Sequence, residues 1–211
     1  MRRPRGVQAC MALLLLVAAT GPVFAQAKPP TAPGAAAQAM GAEALALFER
    51  VCIAALARRE PAEAVATAEL AGSPRVPADR LRANGPVRET AGWRVQGRHT
   101  VMMLEPGAQC AIYTEGIASD AVLDAVQALM LRAEALPGWA RQGQPSRSAS
   151  PRPFGMLTYR QSRYTSTLPP AGKPTQPGPP PVANILASAA NRTDGRPNTA
   201  VITTDIEAAA R

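Results

Sequence analysis

Histidine, sulfur and acid are all in short supply in this chain. Its 211 residues include a single histidine, His99, and three cysteines. Zinc centres draw on His and Cys at set spacings, and neither HExxH nor CxxC occurs. GxSxG and a glycine-rich phosphate loop are missing too, which removes the usual signatures of serine hydrolases and nucleotide-binding proteins. No metal ion and no cofactor is therefore expected. Past residue 25 no apolar run is long enough to cross a bilayer, so no transmembrane segment is expected after that point.

What is present begins with an address. The chain opens with Arg2, Arg3 and Arg5, runs through apolar residues from Ala9 to Ala19, and reaches Val23-Phe24-Ala25 before Gln26. A basic start, a short apolar stretch and small residues at its end read as a secretory signal peptide over residues 1–25, cleaved after Ala25. Export to the periplasm or the extracellular space makes nucleic acid a poor partner and lets disulfides persist. Cys10 would leave with the signal, so Cys52 and Cys110 remain as an even pair and predict one disulfide. The alternative is a reactive cysteine, which needs a base or a cation beside it to become a thiolate.

Charge is unevenly spread. The formal net charge of +8 divides into +3 over residues 1–25, −1 over 26–136 and +6 over 137–211. Arg141, Arg147, Arg152, Arg160 and Arg163 carry most of the last excess. Such a bias suits an anionic envelope lipid or polymer, and its plainer reading is a solvated surface.

Residues 26–40 are small and proline-rich and read as a flexible lead. Leu45, Phe48, Cys52 and Leu56 recur at helical spacing within 41–59 and put Cys52 on the apolar stripe of an amphipathic helix. A second, Ala-rich helical segment starts at Pro61 and stops at Gly72-Ser73-Pro74. GWRVQG, from Gly92, reads as a short strand. The stretch TVMMLEPGAQCAIYTEG, Thr100 to Gly116, reads as a β-hairpin turning at Pro106-Gly107, with Cys110, Ile112 and Thr114 on one face and Ala111, Tyr113 and Glu115 on the other. Val122, Val126, Leu129 and Met130 then stripe a helix over 119–136. RQGQPSRSASPRP, 141–153, reads as a mobile polar loop, and FGMLTYRQSRYT as a strand. Between Pro169 and Pro181 seven of thirteen residues are proline, so 166–181 is expected to be a second mobile loop of extended geometry. VANILASAA and TAVITTDIE flank a segment dense in turn formers and suggest a hairpin, although the Ala content of the first also allows a short helix.

The order of Phe48 and Cys52 (FxxxC) on a helix, Trp93, Gly107 and Cys110 (GxxC) in a hairpin, then an amphipathic helix, resembles small secreted domains of proteobacteria with no assigned function. The resemblance covers about residues 41–165 and transfers no catalytic residue.

The expected fold is a single α+β domain over 41–211. It has an antiparallel sheet of about five or six strands, two main helices on one face, and a Cys52–Cys110 bridge joining the layers. The expected function is that of an exported, non-enzymatic envelope protein that binds a protein partner or an anionic envelope surface. Its candidate binding residues are His99, Tyr113, Glu115, Arg160 and Arg163. The alternative is a secreted hydrolase that uses His99 with hairpin carboxylates such as Glu105 and Glu115.

Overall fold

The computed structural model describes residues 34–77, 80, 83–84, 87–96, 99–105, 109–116, 119–132, 136–167 and 180–207. The expected signal peptide, most of the expected lead, the Pro106-Gly107 turn and residues 168–179 of the proline tract lie outside them.

Helix formation begins earlier than the sequence pattern suggests. Helix α1 spans Ala35–Phe48, so the last residues of the expected lead are helical. The reason is local: AAAQAM is made largely of the best helix former. The chain continues without a break through a π-helical turn, Glu49–Ile53, into α2, Ala54–Arg58, with helical backbone angles at each junction. In the π turn Val51, Cys52 and Ile53 are all buried, which a plain amphipathic stripe does not allow. Helix α3, Ala62–Glu69, follows the Pro61 start signal and buries Val65 and Ala66. Helix α4, Ser119–Leu131, is the amphipathic element expected there, shortened at its C-terminal end.

Among the described residues the sheet is fully antiparallel and has eight strands, where five or six were expected. In chain order they are β1 (Ala83–Asn84), β2 (Val87–Val95), β3 (His99–Glu105), β4 (Gln109–Glu115), β5 (Trp139–Arg152), β6 (Gly155–Ser166), β7 (Val182–Arg192) and β8 (Thr199–Glu207). Seven are substantial and β1 has only two residues. In space they run β1-β2-β3-β4-β8-β7-β6-β5. The fold is thus two meanders of four strands, each preceded by helix and joined along a central β4–β8 seam. Helix α4 carries the chain from the seam to the far edge. Among the described residues there are three helical regions, α1 through α2, α3 and α4: the two main helices expected and the Ala-rich segment expected from Pro61.

The main correction concerns residues 141–153. They are not a loop: they are most of β5, the longest strand, paired with β6 from Trp139↔Ser166 to Arg152↔Gly155. Proline and polar side chains hide such a strand in the sequence. They are tolerated because β5 is the sheet edge, where one row of backbone groups needs no partner. A bulge between Gln142 and Ser146 takes up Gly143, at φ 73°, and Pro145. The last segment resolves as a hairpin, β7 against β8.

Strand register divides the sheet into two faces. Trp93, Val101, Ile112, Ile202 and Ala187 lie in cross-strand succession on the inner face and are all buried. Residues from every helical region join them in one hydrophobic cluster. Cys110, Ile112 and Thr114 face inward as their alternation implies. The Cys52–Cys110 disulfide joins the π turn to β4 across a sequence separation of 58.

Helices α1 and α4 touch at Gly41. A β-carbon there would stand 2.9 Å from the Ala121 carbonyl oxygen and 3.4 Å from the Ala121 β-carbon. Helix propensity alone favours Gly41→Ala by about 1 kcal/mol. Overpacking at this contact reverses the sign, and urea unfolding of G41A is expected to show a loss of about 1–3 kcal/mol. A gain in stability would refute the close contact.

Candidate functional site

The five residues singled out for binding do not converge. His99 and Arg160 belong to the inner face, while Tyr113, Glu115 and Arg163 belong to the open face. On the open face Tyr113 donates its hydroxyl to Glu115 Oε1 at 2.9 Å. Glu115 and His99 therefore lie on opposite sides of the sheet, and the side chain of Glu105 lies outside the described residues.

His99 is 1% exposed, not a strand-edge histidine in water. It sits directly across from Thr114 in the β3–β4 register, and its Nδ1 lies 2.9 Å from Thr114 Oγ1. Its Nε2 lies 3.5 Å from Glu43 Oε2 of α1. A cleft of about 150 Å³, with Arg50 and Gln96 among its walls, adjoins this group. The order carboxylate, imidazole, hydroxyl resembles a hydrolytic relay in outline. Thr114, however, is itself 1% exposed, so its hydroxyl offers no surface to a substrate. The arrangement gives the buried imidazole a hydroxyl partner at Nδ1, sets Nε2 within ion-pair distance of Glu43, and ties α1 to the hairpin.

Strand β6 carries a polar stripe into the core. Thr158, Arg160, Ser162, Tyr164 and Ser166 alternate along its inner face and are all buried. Arg160 donates to the Tyr159 carbonyl oxygen at 3.1 Å and stands across from Arg147. Burial first, and Arg147 second, push its pKa below the usual arginine value, while Asp124 and Asp120 of α4 oppose the shift. Ser162 Oγ and Tyr164 Oη are buried with no hydrogen-bond partner among the described residues.

Several surface arginines on the rest of the domain pair with acid. Arg75 pairs with Glu63, Arg132 with Glu49, and Arg50 with Glu69. In the β7–β8 connection the Arg192 hydrogen bond holds the Asp194 carboxyl down to about 2, helped by the Arg196 backbone N–H. The β5–β6 hairpin differs. Between residues 139 and 166 there are five arginines and no acid. Arg147 and Arg152 are exposed, and Arg141 is half-buried and donates to the Met130 carbonyl oxygen.

A second recess, a cavity of about 340 Å³, lies where α2 ends over β8. Cys52, Ala55 and Leu56 form one wall, with Trp139 and Ile206 opposite. Arg59, Glu60 and Pro61 are the exposed residues among its lining and mark the mouth. Arg59 adopts the left-handed conformation, φ 57° and ψ 37°, and donates from Nη2 to Ser166 Oγ at 3.2 Å. Apart from Cys52, sequence reasoning singled out none of these residues as part of a site. Trp139, Arg59 and Ile206 are far apart in the chain and meet only because α4 delivers β5 to the sheet edge.

No protein-family model, curated protein or solved structure matches this chain.

The unsatisfied hydroxyl on β6 has a measurable consequence. A buried tyrosine whose hydroxyl has no partner carries a desolvation penalty that phenylalanine avoids. Tyr164→Phe is expected to leave stability unchanged or raise it by up to about 1 kcal/mol in thermal or urea unfolding. A loss beyond about 1 kcal/mol would show that the hydroxyl has a partner after all.

Proposed function

We propose that the chain is an exported, non-enzymatic envelope protein that works by attachment to an anionic lipid or polymer surface. The signal-like residues 1–25 support export, with cleavage after Ala25 and residence in the periplasm or outside the cell. The observation that carries the binding role is the β5–β6 hairpin at the edge of the sheet, which has no acid between residues 139 and 166 and exposes Arg147, Arg152 and Arg163. Arg147 lies on the helix-bearing face, while Arg152 and Arg163 lie on the other, so both sides of this edge are basic. A basic edge concentrates counter-charge through long-range attraction and needs no shaped pocket. The same charge and the two prolines discourage pairing with another strand, which favours a surface over an added β-strand as the partner. The hydrolase reading has less behind it, because His99 and Glu115 lie on opposite faces and Thr114 is closed off.

Vesicles containing phosphatidylglycerol test the proposal. The mature protein is expected to cosediment with them at low salt and to be released as ionic strength rises. Each neutralised arginine is worth about 1 kcal/mol at an anionic surface, so the double variant Arg147→Gln, Arg152→Gln should bind about thirty-fold more weakly. Absence of binding at every salt concentration, or binding unchanged in the double variant, overturns it.

A further inference from the structure

We propose that the cavity between α2, β8 and Trp139 is a ligand site for a single-chain anionic amphiphile, its hydrocarbon chain inside and its head group against Arg59. Size is the first observation. A 150 Å³ apolar cavity holds one benzene ring, and this one encloses about 340 Å³. That is at the low end of small-molecule pockets and suits one medium-length chain, not the two chains of a membrane phospholipid. The second observation is the division of its lining. Ala55, Leu56, Trp139 and Ile206 make the interior apolar, and the charged residues stand together at the mouth. A wholly apolar molecule would leave that charged rim unused. A chain with a polar end matches both parts.

The third observation selects the charge. Arg59 occupies the left-handed position that ends α2, with its backbone N–H donating to the Leu56 carbonyl oxygen. Glycine is the common residue there, because a side chain makes this conformation unfavourable. An arginine kept at such a position, oriented by Ser166 and bordering the cavity, is strain placed where a head group would sit. Glu60 shares the rim and opposes an anion, so its removal should tighten binding. The site borrows Trp139 and Ser166 from the ends of β5 and β6 but none of that hairpin's arginines, so the two are separable by salt and by mutation.

Trp139 supplies the readout, and Trp93, buried elsewhere beneath Arg75, supplies a constant background. The mature protein is titrated, below micelle formation, with decanoate, decanol and decyltrimethylammonium, following tryptophan emission. Decanoyl lysophosphatidylglycerol in a parallel titration separates a free fatty acid from a lysolipid as the source of the chain. Decanoate is expected to give a saturable change that Trp139→Phe abolishes, with decanol weaker and the cationic chain weakest. Arg59→Gly should raise the melting temperature yet weaken decanoate at least ten-fold, with decanol unaffected, while Glu60→Gln should strengthen decanoate. Ala62→Phe at the mouth should remove the response while the protein stays folded, and Ile206→Trp replaces it as the blocking variant if A62F does not fold. No saturable change, a response that survives blocking, or an R59G variant with an unaltered preference for decanoate over decanol would each overturn the assignment. So would occupancy seen only with a protein partner.

Discussion

Everything in this molecule hangs from the covalent tie between Cys52 and Cys110. One sulfur belongs to the π turn in the middle of the long first helix, the other to β4 beside the central seam of the sheet. A bridge over this span removes about 4 kcal/mol of loop entropy from the unfolded chain. It also sets position. The π turn that offers Cys52 to the sheet buries Val51 and Ile53 on either side, so the helix is seated by three successive residues and not by a stripe alone. Insertions of this kind recur at functional places in helices. Here the helix runs on into α2, whose end over β8 opens the apolar cavity.

The two meanders meet at β4 and β8, and their chemistry differs. The first half is closed by aliphatic and aromatic contacts, with His99 and Thr114 as a hydrogen-bonded polar pair. The second half brings arginine and hydroxyl groups into β6 and leaves its edge strand basic. Burying Arg160 opposite Arg147 is unfavourable, and the acids of α4 offset it only through space. The core of the second half is therefore the less economical of the two. What it provides is a basic rim on one side of the sheet and, at Trp139, the outer wall of the cavity.

Several elements were legible in the sequence because one period dominated. The Thr100–Gly116 hairpin, helix α4, the strand from Gly155 and the closing hairpin all show clean alternation or helical spacing, and the even pair of cysteines implied the bridge. The misses share a cause: an environment that overrides local composition. Residues 141–153 carry proline, glycine and arginine that suit a loop, and the register with β6 makes them a strand because an edge tolerates all three. Residues 35–40 resemble a flexible lead by composition, yet Gly41 against Ala121 anchors the helix they begin. The burial of His99 depends on Glu43 and Thr114, 56 and 15 residues away in number and unmarked by any motif. The cavity was illegible for the same reason, since its walls come from α2, β5 and β8.

The central claim is that the bridge holds helices and sheet as one cooperative unit. Equilibrium unfolding of the protein in urea, with and without reductant, tests it directly. The account predicts a single transition for the oxidised protein and a loss of about 4 kcal/mol on reduction. Identical midpoints in the two conditions, or free Cys52 and Cys110 thiols in the unreduced protein, would contradict it.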